Sequence, residues 1–393
     1  MGFFSGRISF ARFRVSGRAP KAFGPEQLGQ LKAKAAGKQR VATADGSEAG
    51  WVGGSHILDT RFDLAKNIVD DTLHFALRVD SQKPPADLLR AYTEIELGAL
   101  AADNPNGRPS ARQRKEARQA ARERLDKEGR DGRFLRRRAY SLLWDAQSNE
   151  LLAGPMPAPV LGKLVGLFQQ TFDRHLEAAP AGRRAFLLAE ARRQTRGADD
   201  ATLTAFVPGS ASGTVAWILD EASQDFLGNE FLLWLWFVLE TESDTLMLSD
   251  NSQASLILAR TLVLECPLGE TGRQTLSSDA PSRLPEARQA LRSGKLPRRA
   301  GLTIERQGRQ YELTLEAESL SVAGAKLPAP EADDERAVLE ERVGHVRHLL
   351  ETLDLIYDAF GQCRLGSRWR KETEKMRAWI KRDSSSRLIS SAR

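Results

Sequence analysis

The residues of this sequence that offer the most chemistry are basic, and they lie close together in one stretch of the chain. Residues 108–138 hold thirteen lysines and arginines and five acids, a net charge of +8, whereas the whole chain of 393 residues carries +6. Cations that neutralise phosphates release counterions, which favours binding to a polyanion. The predicted phosphate contacts are Arg108, Arg112, Arg114, Lys115, Arg118, Arg122, Arg133, Arg136, Arg137 and Arg138.

The element that must position most of these cations is a helix predicted from Ser110 to Glu128, with a serine that can cap its start. Its apolar stripe consists mainly of Ala117, Ala121 and Leu125, and such a stripe buries little surface. A helix this polar projects from the body of a protein or bridges between elements. We therefore expect a basic helical finger.

An alternative for the same helix is a solvated surface with ion pairs one turn apart, such as Arg112–Glu116 and Glu123–Lys127. The excess of positive charge leaves most of the arginines without a partner, and it therefore favours phosphate binding. Phe134 lies among the arginines that follow the helix. It either stacks on a base or belongs to the core, and the sequence favours neither.

A long C-terminal helix is predicted by apolar residues spaced 4-3-4-3-4-3 over three heptads. This seam consists of Leu339, Val343, Val346, Leu350, Leu353, Tyr357 and Phe360. It predicts either a helix that packs on its own domain or the seam of a dimer. The spacing alone does not choose between the two.

The segment that follows, residues 364–393, has a net charge of +7. Trp369, Met376 and Ile380 share one helical face there, which is compatible with a second DNA contact, a partner helix or a helix on a membrane surface. A single apolar face on a terminal helix most often docks on its own protein, and we favour that interpretation. The Ser-rich residues 383–393 are expected to be disordered.

Residues that could support catalysis form no recognisable site. His345 and His348 are three residues apart with no cysteine nearby, which favours a solvated pair over a metal site. His74 is expected to face solvent, and residues 59–71 hold aspartates in no recurring spacing. Phosphate-loop and nucleophile-elbow motifs are absent, and neither Cys266 nor Cys363 belongs to a C-x-x-C pair. We therefore predict no catalytic residue, no metal and no cofactor.

The expected location follows from the apolar runs and from the start of the chain. The longest apolar run, Phe231 to Leu239, has nine residues, and a membrane span needs about 20. Three arginines interrupt the first fifteen residues, which is unlike a signal peptide. We expect a soluble, cytoplasmic protein without a membrane partner.

The order of predicted helices and hairpins indicates an α+β fold. We expect antiparallel sheets with packed helices, a projecting basic helical finger and a long C-terminal helix. A strand at Leu73 to Val79 with one buried face, a strand at Val215 to Leu219 and a polar loop at 273–285 are among the predicted elements. The predicted divisions are an N-terminal α+β region (1–105), the finger (106–135), a hairpin with helices (136–195), a second α+β region (196–328), C-terminal helices (329–382) and a tail (383–393).

Several segments together resemble the bacterial recombination-associated RdgC family. The resemblance covers residues 8–175 best. It is carried by the first strand at Phe10 to Val15, the Gly50-Trp51-Val52 turn before Gly54-Ser55-His56, the charged helix running into Arg136-Arg137-Arg138-Ala139-Tyr140, Leu142-Leu143-Trp144-Asp145, and the Asn149-Glu150-Leu151-Leu152 hairpin.

This resemblance implies a nucleoid-associated protein that binds double-stranded DNA with little sequence preference. It also implies a homodimer closed into a ring around the duplex, and antagonism towards RecA-promoted strand exchange. The chain is longer than is usual in the family, notably between residues 195 and 330 and after Phe360, so ring closure is the least transferable of these properties.

The function that we predict is a dimeric DNA clamp that tolerates any sequence. It contacts phosphates through residues 108–138, with possible help from residues 364–382. A metal-dependent exonuclease with unrecognised carboxylates is one alternative. A protein-interaction scaffold whose basic regions bind acidic partners is another.

Overall fold

Antiparallel strand pairing runs through the computed structural model, which describes residues 2–38, 46–102, 108–193, 195–209, 215–218, 220 and 222–382. The strands are β1 (Ile8–Val15), β2 (Glu48–Val52), β3 (Ile68–Val69), β4 (Thr72–Gln82), β5 (Leu135–Asp145), β6 (Glu150–Ala153), β7 (Leu176–Ala178), β8 (Thr245–Met247), β9 (Gln253–Glu265), β10 (Gln274–Ser278), β11 (Leu296–Arg306), β12 (Arg309–Glu316) and β13 (Val322–Lys326). The helices are α1 (Pro25–Ala33), α2 (Leu64–Asn67), α3 (Ala86–Ala102), α4 (Ala111–Glu128), α5 (Ala158–Phe172), α6 (Ala181–Ala191), α7 (Arg196–Asp199), α8 (Phe226–Thr241), α9 (Pro285–Arg292), α10 (Glu335–Arg364) and α11 (Trp369–Lys381).

The strands form one large sheet with β1 near its middle. The order is β10-β9-β11-β12-β13-β1-β6-β5-β4-β2. In addition, β3 pairs with β4, β7 with β1 and β8 with β9. Ile8 and Phe10 of β1 pair with β13, whereas residues 11–14 pair with β6. Each of these strand pairs is antiparallel, and helices cover the sheet, so the predicted α+β class with a long C-terminal helix is confirmed.

Aromatic side chains fill the core between the N-terminal strands and α5. The ring of Trp144 on β5 lies 5.2 Å from both Phe168 and Phe172 of α5. Trp51 on β2 lies 5.2 Å from Phe75 on β4, edge to face. Aromatic rings favour this geometry, and each contributes a large buried area. This core holds the end of the sheet from which α3 and α4 depart.

The prediction that β4 buries only one face is wrong. His74 on its second face is 5% exposed, because the ring of Phe4 lies 4.4 Å away and covers it. Burial, together with the nearby charge of Lys66, lowers the pKa of His74 to about 4. Alternation along one strand indicates its more apolar face, but it does not show what the start of the chain places on the other face.

The heptad seam on α10 lies in the core of its own chain, which corrects the alternative of a dimer seam. Six of its predicted members, Val343, Val346, Leu350, Leu353, Tyr357 and Phe360, are buried, and Leu339 is half-buried. Tyr357 packs edge to face on Phe231 of α8 at 5.0 Å and donates a hydrogen bond to the carbonyl of Ala181. A helix laid against a sheet and a second helix needs the same apolar spacing as a coiled coil, so the spacing could not distinguish them.

Helix α11 docks on the same core, as we favoured from the sequence. Met376, Trp379 and Ile380 are buried, and the guanidinium of Arg288 on α9 lies over the Trp379 ring at 4.2 Å. The predicted disorder of residues 383–393 falls outside the described residues. The predicted domain boundaries also stay predictions.

Two predicted connections differ from the structure. Residues 215–218 form a turn rather than the predicted strand, and Leu219 lies outside the described residues. The predicted polar loop at 273–285 contains β10 and a short 3-10 helix at Pro281–Arg283. β10 is an edge strand in which Thr275 and Ser277 are exposed, so its composition is polar even though its backbone pairs with β9.

Candidate nucleic-acid interface

The basic helix α4 begins and ends where the sequence predicts. The hydroxyl of Ser110 accepts a hydrogen bond from the backbone N–H of Gln113, and the Gln113 side chain accepts one from the backbone N–H of Ser110. This reciprocal capping box satisfies two donors at the start of the helix. Gly129 is its C-terminal cap. The capped start fixes the orientation of the cations on the first turns.

The finger is a pair of helices, because α3 packs along α4. The stripe of Ala117, Ala121 and Leu125 is 2% exposed or less, since alanine lets two helices approach closely. Tyr92 of α3 donates a hydrogen bond to Glu128 at 2.8 Å, and the guanidinium of Arg124 lies 4.1 Å from the centre of its ring. Helix α3, which belongs to the predicted N-terminal region, is therefore the packing partner of α4.

Several of the predicted phosphate contacts already have acidic partners. Arg112 pairs with Glu116 one turn along α4 at 2.8 Å, as the ion-pair alternative expected. Arg133 pairs with Asp131 at 2.6 Å in the connection to β5. The expected Glu123–Lys127 pair is not seen within the described residues, where Glu123 accepts a hydrogen bond from Gln119. These paired cations have less charge to offer a phosphate.

Lys115, Arg118 and Arg122 differ from these neighbours, and we call them the basic strip. Their spacing of three and four residues places them along one side of α4. All three side chains are exposed, and none has an acidic partner among the residues that the structure describes. Arg114 is exposed nearby, as is Arg108 just before the helix. The strip is therefore a short line of cations whose charge is available to a ligand.

The three consecutive arginines of β5 do not form a single surface. Side chains alternate along a strand, so Arg137 points away from Arg136 and Arg138. Arg137 lies 3.6 Å from Asp80 on β4, and Asp80 is also held by two hydrogen bonds from Arg78 at 2.9 Å. Only Arg136 and Arg138 share a face, and both are exposed.

Phe134 lies at the base of the finger rather than in a stacking position. The residue is half-buried, and a Cβ added to Gly129 would lie 3.1 Å from its ring. Its carbonyl accepts a hydrogen bond from the backbone N–H of Lys83. This packing favours the core interpretation over a base contact.

The pair His345 and His348 is buried, contrary to the expected solvated pair. His348 Nδ1 lies 2.8 Å from the hydroxyl of Tyr311, and His348 Nε2 lies 3.1 Å from Gln307. Burial first, and then the charges of Arg309 and Arg306, lower the pKa of His348 to about 4. Within the described part of the chain, no three histidine, cysteine or acidic side chains are grouped to hold a metal.

The Gly53-Gly54 turn is explained by packing. Asp59 is buried, and it accepts hydrogen bonds from Lys66 at 2.9 Å and from the backbone N–H of Ser55 and Arg61. A Cβ on Gly53 would collide with the Arg61 carbonyl. Gly54 has a φ of +97°, and a Cβ there would lie 2.8 Å from the His74 ring.

An ion network that the sequence did not reveal lines a cavity of about 530 Å³. Arg12 donates to Glu150 at 2.9 Å and to Asp354 at 2.7 Å, and Arg184 donates to the same two carboxylates. Each carboxylate lies between two guanidinium groups, so the network satisfies itself. We regard it as structural, because these residues join β1, β6, α6 and α10.

No protein-family model matches this chain, and no curated protein matches it. Among the described residues, the helices are too short or too polar to cross a bilayer. The choice of function therefore depends on the charges and contacts of the chain's own residues.

Proposed function

We propose that this protein binds DNA through the phosphate backbone and does not read the base sequence. The observation that supports this most directly is the basic strip. Lys115, Arg118 and Arg122 are exposed and have no acidic partner in the part of the chain that the structure describes, whereas neighbouring arginines are paired. Lysine and arginine along a helix side can follow a sugar–phosphate backbone, and each neutralised phosphate favours binding at low salt. Arg136 and Arg138, which are exposed on one face of β5, are further phosphate contacts in this proposal.

Indifference to sequence follows from the kind of contact. Sequence is read by side chains that reach base edges, whereas phosphate contacts position a protein without discriminating between sequences. Phe134, which follows Arg133 in the sequence, is packed against Gly129. The proposal therefore predicts equal loss of affinity for all probes when the strip is neutralised.

Three further properties come to the proposal from the family resemblance. They are a homodimer that closes around the duplex, location in the nucleoid of the cytoplasm, and antagonism towards RecA. Because the α10 seam is buried in its own chain, a dimer must use another surface. Sedimentation of the protein at several concentrations, with and without duplex, tests whether such a dimer exists.

The test of the function is a titration of labelled duplex and single-stranded probes against salt, with and without magnesium. Binding that is independent of sequence, falls steeply with salt and leaves the probe intact supports the proposal. Magnesium-dependent loss of the probe would instead indicate the exonuclease. Absence of binding at moderate salt, together with a stable complex with an acidic protein, would indicate the scaffold.

A further inference from the structure

A second group of cations lies far from the finger in sequence, on the C-terminal half of the sheet. Arg7, Arg260 and Lys326 converge on a single carboxylate, that of Glu312 on β12. Arg260 lies 2.7 Å from Glu312 Oε2, Arg7 lies 3.3 Å from the same oxygen, and Lys326 lies 3.5 Å from Oε1. We call these four residues the sheet patch, which has a net charge of +2.

The sheet patch faces outward because of the alternation along β12. Tyr311 and Leu313 point into the core and are 5% exposed or less, so Glu312 between them points to the opposite face. The cations on this face are well exposed, with side-chain exposures of 62% for Arg260, 60% for Lys326 and 48% for Arg7. A ligand can therefore reach all three cations from solvent.

A bulge in β9 directs Arg260 towards the patch. Arg260 has a φ of +67°, a conformation that is costly for any residue other than glycine. The pairing of β9 with β11 shifts register at this point, opposite Gly301, where a Cβ would collide with the carbonyl oxygen of Ala259. Bulges re-aim side chains and are over-represented next to functional sites.

The three cations around Glu312 have more positive charge and more N–H donors than this one carboxylate can pair with. Burial raises the pKa of Glu312, but the hydrogen bond from Arg7 and the charges of Arg260 and Lys326 outweigh it and hold the pKa below its ordinary value. One ionised carboxylate cannot occupy the five N–H donors of each guanidinium and the three of the ammonium. The neighbouring Gly324 and Thr314 have small side chains, so the backbone of a bound polymer can approach the sheet closely here.

We propose that the sheet patch is a second phosphate-binding surface, which takes the sugar–phosphate backbone of the same nucleic acid. The inference rests on the proposed function. A polyanion of regularly spaced phosphates complements three exposed cations, and among the described residues no carboxylate other than Glu312 forms an ion pair with them. With the basic strip, it gives the protein two separate contacts with one DNA molecule.

The experiment measures the affinity of the full-length protein for a 40-bp duplex between roughly 50 and 200 mM salt. The patch variant is Arg260→Gln with Lys326→Gln. Its control is Arg196→Gln with Lys32→Gln, which removes the same charges from exposed residues elsewhere. We expect the slope of log K against log salt to become shallower by about 1.8 in the patch variant, since each phosphate contact contributes about 0.9. The control should retain the slope of the unmodified protein.

Glu312→Gln provides a change of opposite sign, because it raises the net charge of the patch to +3. We expect tighter binding and a steeper slope in this variant. If the patch variant matches its control while neutralisation of the basic strip weakens binding, the patch inference is wrong and the proposed function stands. If the unmodified protein fails to bind the duplex, the proposed function and this inference both fail.

Discussion

Arg137 of β5 lies 3.6 Å from Asp80 of β4, on the face of the strand opposite Arg136 and Arg138. Three adjacent arginines in the sequence are thereby divided between two surfaces. One of them shares a carboxylate that Arg78 already holds, and the other two lie on the opposite face of the strand, where both are exposed. The chemistry available to a phosphate therefore differs from one arginine to the next.

Substitution of these arginines singly should reveal the division. We expect Arg136→Ala and Arg138→Ala each to weaken DNA binding and to flatten the salt slope by about 0.9. Arg137→Ala should have a smaller effect, because Asp80 reduces the charge that Arg137 offers. Fluorescence anisotropy at several salt concentrations measures all three. An equal loss in the three variants would contradict the assignment of faces.

The burial of the α10 seam predicts a loss of stability rather than of assembly. Leu350→Ala removes a side chain that is 7% exposed in the core, and such truncations cost about 2–5 kcal/mol. We expect the urea midpoint to fall by a corresponding amount, with no dependence on protein concentration. A variant that kept its urea midpoint but changed its oligomeric state would show that the seam joins two copies after all.

Substitution of alanine for two helical glycines should change the stability of the fold in opposite directions. A Cβ on Gly228 in α8 would collide with the carbonyl of Ala317, whereas nothing lies within 4 Å of one on Gly344 in α10. We expect Gly228→Ala to cost about 1–3 kcal/mol through overpacking. Gly344→Ala should stabilise the fold by up to about 1 kcal/mol, since alanine favours helix. Thermal unfolding of the pair tests whether α8 packs this closely on the sheet.

The buried histidines predict a loss of stability in mild acid. The unfolded chain binds a proton at His74 near pH 6.5, whereas burial delays protonation in the folded chain to about pH 4. The stabilising contribution of neutral His74 is therefore complete above pH 6.5 and is lost as the pH falls from 6.5 to 4. From pH 7.5 to 5, the free energy of unfolding should fall by about 2 kcal/mol on account of this residue.

The control for that prediction is His74→Phe, which keeps a ring against Phe4 but cannot take a proton. Its loss of stability between pH 7.5 and 5 should be smaller than that of the unmodified protein by the same amount. His348, whose pKa is also about 4, continues to contribute in both proteins. An identical pH dependence in the two proteins would mean that His74 is not buried as the structure has it.

The features that could be predicted from the sequence are mainly local. The cap at Ser110 and the end of α4 at Glu128 depend on residues a few positions apart, and both predictions are correct. The apolar spacing of the α10 seam also predicted a long helix correctly. The surface on which this seam packs could not be predicted, because a sheet, a neighbouring helix and a second copy of the chain all require the same apolar spacing.

Features that depend on distant parts of the chain could not be predicted. The small stripe of Ala117 and Ala121 suggested a helix that projects from the body of the protein. Nothing in the sequence shows that α3 packs on this stripe. The contact between Arg7 and Glu312 joins residues 305 positions apart. The separation of paired from unpaired cations on α4 also needed the structure, since composition counts all of them equally.

The measurement that tests the central claim most directly compares two triple variants in a salt titration with duplex DNA. One neutralises the basic strip, Lys115→Gln with Arg118→Gln and Arg122→Gln. The other neutralises three exposed but paired arginines of the same region, Arg90→Gln with Arg112→Gln and Arg133→Gln.

Both triples remove the same formal charge, so a general effect of net charge would weaken binding equally in the two. We predict that the strip variant loses about 2.7 from the salt slope, about 0.9 for each phosphate contact, whereas the paired variant changes much less. Equal slopes in the two variants, or binding that survives loss of the strip, would contradict the claim that the strip holds the DNA backbone.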